Sequence, residues 1–106
     1  EALFVSAYFA SKYQTKLTVL VVDKDPEKGQ KLINDAENYL GDCCQNTYFK
    51  KRSGGVGRAI LRTASEEDAD MIVMGGYGLS PILELLFGST VDSVLRGTRV
   101  PVIICQ

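Results

Sequence analysis

The sequence predicts an α/β fold, a doubly wound open parallel sheet with helices on both faces. Three observations carry that reading. Short apolar runs rich in β-branched residues alternate strictly with segments of helical periodicity, the pattern of strands joined by crossover helices. The runs "LTVLVVD" and "MIVM" show no polar alternation, as strands buried on both faces do not. A glycine-rich segment, "GGYGLSPILELLFGST" at residues 75–90, separates the third strand from the helix after it.

The elements follow in order. "EALFVSAYFASKY" reads as a helix in which Leu3, Ala7 and Ala10 form one stripe, thickened by Phe4 and Tyr8. Residues 16–23 form the first strand of the chain. Asp25 then caps a second helix with Pro26 at its first position. Leu32, Ala36, Tyr39 and Leu40 are its expected inner face, and Gly41 ends it. "QNTYFKKR" is a second strand, polar at its end and expected near a sheet edge. "GVGRAILRTASEEDA" is a helix with Ala59, Ile60 and Ala64 facing inward, and its acidic end is a solvated connection. "DMIVMG" is the third strand, residues from Thr90 to Arg96 are the fourth helix, and "RVPVIICQ" is the closing strand.

Composition narrows the function classes. The 106 residues are the size of one domain, and 45% apolar with 24% charged residues suffices for a buried core. A net charge of −1 supplies no basic surface for phosphate backbones, which argues against nucleic acid as a partner. No apolar run approaches the ~20 residues of a membrane span, so no membrane contact is expected from this chain itself. The odd count of three cysteines, Cys43, Cys44 and Cys105, fits reduced thiols and a cytoplasmic location. Cys43 and Cys44 are adjacent, poor geometry for a disulfide with each other. One is expected to face inward, and Cys105 is expected in the core. Histidine is absent, which removes the commonest general base and metal ligand.

The glycine segment leaves the carboxyl end of the third strand, where sheets of this kind bind ligands. Gly88, Ser89 and Thr90 open the next helix, whose first amides lack intrahelical partners and whose dipole end is positive. Gly88 lets a phosphate approach those amides closely, and the hydroxyls add donors. Spacing alone leaves plain turn chemistry equally open. Ser89 with Asp92 resembles a capping box, and "SPILELLF" reads as a short helix begun by Ser80 and Pro81. No Walker A loop or dinucleotide fingerprint occurs.

Gly75-x2-Gly78-x9-Gly88-Ser89 resembles the nucleotide-binding signature of the universal stress protein family. The similarity spans residues 1–106 and includes "LTVLVVD", "EEDADMIVMGGYG" and "RVPVIICQ". It implies a Rossmann-like fold, similar to the adenine nucleotide alpha hydrolases, that binds ATP, with AMP and ADP as alternatives and Mg2+ as an accompanying ion. Carried onto this chain, the phosphate and ribose contacts fall to Met74, Gly75, Gly78, Gly88, Ser89 and Thr90. Adenine recognition falls to the backbone of Val21. The family's first strand and its terminal Asp precede the point where this chain begins. The reading is therefore a single domain at 1–106, incomplete at its amino end, with a gap where that central strand belongs.

Other candidate sites weigh less. "SGGVGR" resembles the loop of PP-loop ATP pyrophosphatases, but Gly57 and Arg58 replace its Asp and Ser, so it reads as a turn before a helix. Glu84 and Asp92 flank the cradle and could meet a magnesium ion through water; solvated helix positions are the plainer assignment. Arg96 and Arg99 read as surface residues.

No lysine occurs between residues 75 and 90, and no base stands near. Such a cradle holds a ligand without evident means to cleave it. The expected function is an ATP-binding regulatory or sensor domain, not an enzyme beyond slow hydrolysis. The alternatives are a dimerisation or interaction module without nucleotide, or a cytoplasmic regulatory domain of a larger protein such as a transporter. An ATP-consuming enzyme would need a catalytic loop that these residues lack. The last strand, Val100 to Cys105, is expected at a sheet edge and as the seam of a homodimer.

Overall fold

The computed structural model describes residues 1–75 and 90–105. The elements run α1 (Ala2–Tyr13), β1 (Leu17–Val22), α2 (Pro26–Leu40), β2 (Thr47–Arg52), α3 (Val56–Glu66), β3 (Ile72–Gly75), α4 (residues 90–97) and β4 (Val102–Cys105). This is the alternation read from the sequence. The strands pair as two two-stranded parallel sheets, β1 with β2 and β3 with β4. The chain divides into two units, Leu3–Gly54 and Glu1–Ala2 with Gly55–Gln106.

In the first unit β1 and β2 run in register from Leu17↔Thr47 to Val22↔Arg52. The ladder continues at both ends, where Leu17 N–H donates to the Asn46 carbonyl at 2.9 Å and Asp23 N–H to the Arg52 carbonyl at 3.1 Å. β1 is half-buried along its whole length, short of the full burial its apolar run predicts. Among the described strands it has β2 alone as a partner, so one long edge lacks the neighbour a central strand would have.

Asp25 caps α2 as its sequence predicts. Its carboxylate accepts the Glu27 amide at 2.9 Å, and Pro26 follows at the first turn. A cap of this kind is worth about 1 kcal/mol. The inner face of α2 is a correction. Gly29, Ile33, Ala36 and Leu40 are buried, whereas Leu32 and Tyr39 are 49% and 57% exposed. The buried set has helical spacings of four, three and four, and its glycine has a purpose. Lys51 of β2 lays its stem over α2, its Cδ 3.6 Å from where a Gly29 β-carbon would stand, and donates to Gln30 Oε1 at 2.9 Å. Gly41 takes φ 53° and ends the helix.

On α1, Ala10 is the buried residue, and Phe4 and Tyr8 are exposed and do not thicken the inner stripe. This helix is apolar nearly all round, so composition gives its period little power to choose a face. Phe9 stacks on Tyr13 with centroids 6.0 Å apart, and Lys12 Nζ stands 5.6 Å from both the Tyr8 and Tyr13 rings.

In the second unit Ile72, Met74, Val91 and the fully buried Val94 form the core, joined by Ile60, Leu61, Ala64, Val100, Val102 and Ile104. Ile60 and Ala64 line this core as expected, alongside the buried Gly57, Ala59 and Thr63. α3 stops at Glu66, earlier than its sequence run suggests. Asp68 adopts φ 50°, Ala69 N–H donates to the Ala64 carbonyl at 2.9 Å and Asp68 N–H to the Ser65 carbonyl at 3.3 Å. Those two bonds are the Schellman arrangement, which satisfies terminal carbonyls and turns the chain toward β3. β4 begins at Val102, because Pro101 cannot donate to a ladder.

Candidate functional site

β3 ends with Met74 paired to Ile104 and Gly75 paired to Cys105. Met74 is buried in the core, and Gly75 is exposed at the strand's carboxyl end. An added β-carbon on Gly75 would meet no atom of the described residues within 4 Å. β3 and β4 are parallel, so the connection between them must run back across the sheet. α4 lies on that connection, and Thr90 is its first described residue. Val91 and Val94 fix α4 there by packing on Met74 and Ile72.

A second contact holds α4. Gly57 of α3 has Ser93 Cβ 3.1 Å and the Thr90 carbonyl oxygen 3.7 Å from where its own β-carbon would stand. The two helices approach closely only because position 57 carries no side chain. In the sequence Gly57 belongs both to the turn segment "SGGVGR" and to the run that reads as a helix, and the signal for its packing role is a small residue at the first turn of that helix. The turn itself is at Gly54, where φ is 98°.

The structure thus brings Met74, Gly75 and Thr90 into one unit. Val21 belongs to the other, half-buried on β1 and in register with Lys51. Gly78, Gly88 and Ser89 lie outside the described residues, as do Glu84 and "SPILELLF".

Charges near α4 pair with each other. Arg96 Nε lies 2.9 Å from one Asp92 carboxylate oxygen and 3.1 Å from the other, an exposed pair one helical turn apart. Arg62 and Glu66 repeat the arrangement on α3 at 2.8 Å. Asp92 is thus engaged along its own helix, in keeping with the solvated assignment. Among the described residues no cluster of three or more His, Cys, Asp or Glu side chains could hold a metal ion. No helix among them is long and apolar enough to cross a membrane. Cys43 is exposed, and Cys44 and Cys105 are half-buried, so Cys105 is less enclosed than expected of a core residue.

Comparison with known proteins places these features in a wider set. A model of the universal stress protein family matches residues 1–106. Universal stress protein Slr1230 of Synechocystis is 32% identical over 89 residues, 82% of this chain and 31% of that protein. Universal stress protein MJ0577 of Methanocaldococcus jannaschii is 33% identical over 47 residues, 44% of this chain and 29% of that protein. The chain thus spans about a third of the length of these curated relatives. A universal stress protein structure from Archaeoglobus fulgidus superposes with a TM-score of 0.82 at 28% identity, covering 99% of this chain and 38% of that one. A universal stress protein solved in complex with cAMP gives 0.76 at 24% identity, covering 99% of this chain and 84% of that one.

Proposed function

Because the chain belongs to the universal stress protein family, we propose that it is a nucleotide-binding regulatory domain that holds ATP, with AMP or ADP as alternatives, and hydrolyses it slowly or not at all. In this reading Gly75, Gly78, Gly88, Ser89 and Thr90 bring backbone amides and hydroxyls against the phosphates. Met74 flanks them, and the Val21 backbone receives the adenine. Mg2+ accompanies the phosphates, and the protein works in the cytoplasm as a homodimer joined through β4.

The observation that carries the reading is the position of Gly75, at the carboxyl end of β3, with no described residue within 4 Å of where its β-carbon would stand. Helix amides and a positive dipole end suit an anion there. The cAMP complex belongs to a protein whose likeness to this chain, at 24% identity, speaks for the fold. Slow turnover rests on chemistry: the segment offers donors to hold a phosphate, but no lysine to neutralise charge on a transferring group.

Calorimetric titration of the native full-length protein with Mg-ATP, Mg-ADP and AMP tests the reading, with phosphate release followed in parallel. Saturable binding at one site per chain is expected, weakened at least about tenfold by Gly88→Val, with release below ~1 s⁻¹, the low end of kinase turnover. No heat with any of the three, from a folded protein, would leave the interaction-module reading in its place. Faster release would replace the sensor with an enzyme.

A further inference from the structure

The connection between α2 and β2 carries two adjacent thiols that the nucleotide reading does not use. Cys43 Sγ and Cys44 Sγ lie 3.1 Å apart, in hydrogen-bond contact. Cys44 also donates to the Ala7 carbonyl of α1 at 3.6 Å, which turns its thiol inward, while Cys43 faces solvent. The backbone is tied down on both sides. Cys43 N–H donates to the Leu40 carbonyl at 3.1 Å, and Thr47 Oγ1 donates to the Cys44 carbonyl at 2.7 Å. Two sulfurs are therefore held together at a surface, one of them directly accessible.

Two outcomes are open to such a pair, and geometry separates them. A disulfide prefers α-carbons ~4.4–6.8 Å apart, whereas neighbours across a trans peptide stand about 3.8 Å apart. A direct sulfur–sulfur bond would strain the loop. A shared third atom would not. Sulfurs each about 2.3 Å from a common soft centre stand ~3.3 Å apart when the angle there is about 90°, a few tenths of an ångström beyond the spacing already present. Sulfur ligands select soft acceptors. A four-coordinate metal would need further donors, and the described residues hold no cluster of three ligating side chains around these thiols. An acceptor that needs only two more ligands fits better.

We propose that Cys43 and Cys44 form a dithiol capture site for a soft, thiophilic centre of the trivalent arsenical class, which takes both sulfurs at once. With an arylarsine oxide the step is a condensation. Two arsenic–sulfur bonds form, the arsenic–oxygen bond breaks, and both thiol protons leave with that oxygen as water. Arsenic stays trivalent, so no oxidant or reductant is required. The second bond forms within the same molecule, where the effective concentration of the Cys44 thiol is high. Thiol–disulfide exchange, by contrast, needs a thiolate, and burial followed by the Cys43 contact pushes the Cys44 thiol up to about 11.

Phenylarsine oxide, added at one equivalent to the full reduced chain and followed by intact-mass spectrometry, tests the site. One adduct is expected on the native protein and on Cys105→Ala, retained in excess 2-mercaptoethanol and released by dithiothreitol. Cys43→Ala and Cys44→Ala should each lose it to the monothiol about 10²-fold faster. Equal release from native and single variants, or a retained adduct when both residues are replaced, would overturn the site. Should a variant fail to fold, peptide mapping of the native adduct decides: arsenic on the peptide carrying residues 43 and 44 supports the proposal, and arsenic elsewhere overturns it.

Discussion

The Cys44 thiol is held at about 11, above its usual 9.0, first by burial and then by the hydrogen bond and charge of Cys43. The unfolded chain surrenders this proton near pH 9, while the folded chain keeps it toward pH 11. Between those values the folded state binds more protons, so its stability must fall as pH rises. Urea midpoints of the native chain and Cys44→Ala, compared from pH 8 to 10.5, should show the native protein losing ground to the variant above pH 9. A constant difference would mean that Cys44 is solvated like a free thiol. Single side chains were also where the sequence misled. On α2 the expected set of Leu32, Ala36, Tyr39 and Leu40 and the buried set of Gly29, Ile33, Ala36 and Leu40 share Ala36 and Leu40, and both satisfy helical spacing. What chooses between them is Gly29, which completes the buried face and admits Lys51, and nothing local to the helix reveals that.

Elements were more legible than faces, because alternation of buried strands and helices is a property of long segments. Their ends moved where backbone chemistry intervened: at Asp68, whose left-handed conformation closes α3, and at Pro101, which delays β4. The packing of α3 on α4 shows how an element depends on one position. Ser93 Cβ is 3.1 Å from where a β-carbon on Gly57 would stand. A branched side chain there must push the helices apart, and overpacking of this kind costs ~1–3 kcal/mol. Gly57→Val is therefore expected to lower the melting midpoint by at least about 4 °C. An unchanged midpoint would show that α4 can shift freely. Because α4 presents Thr90, the same variant is expected to weaken nucleotide binding without touching the ligand.

For the whole chain, the fold class and family were legible in the alternation of apolar strands such as "LTVLVVD" with helices and in the family-like segments that span residues 1–106. The candidate site was legible in part. Met74, Gly75 and Thr90 fall in one unit, while Gly78, Gly88 and Ser89 lie outside the described residues and Val21 belongs to the other unit. Assembly belongs to this scale as well. Among the described strands β4 pairs with β3 alone, and it is an apolar strand half-buried throughout, of the kind that can take a second strand at its edge. Light scattering of the native protein at micromolar concentration should return twice the chain mass, and a monomeric mass would remove β4 from the proposed dimer.

The central claim is that the glycines admit a nucleotide, and thermal unfolding with and without Mg-ATP tests it most directly. Gly75→Val is the informative variant, since the described residues leave open space at that β-carbon and a β-branched residue suits a strand. At ~100 times the dissociation constant, ligand adds about 2.7 kcal/mol, enough to raise the midpoint of a domain this size by ~10 °C. The account predicts that rise in the native full-length protein and its loss in Gly75→Val, with the unliganded midpoints alike. No rise in the native protein, or an equal rise in the variant, would contradict it.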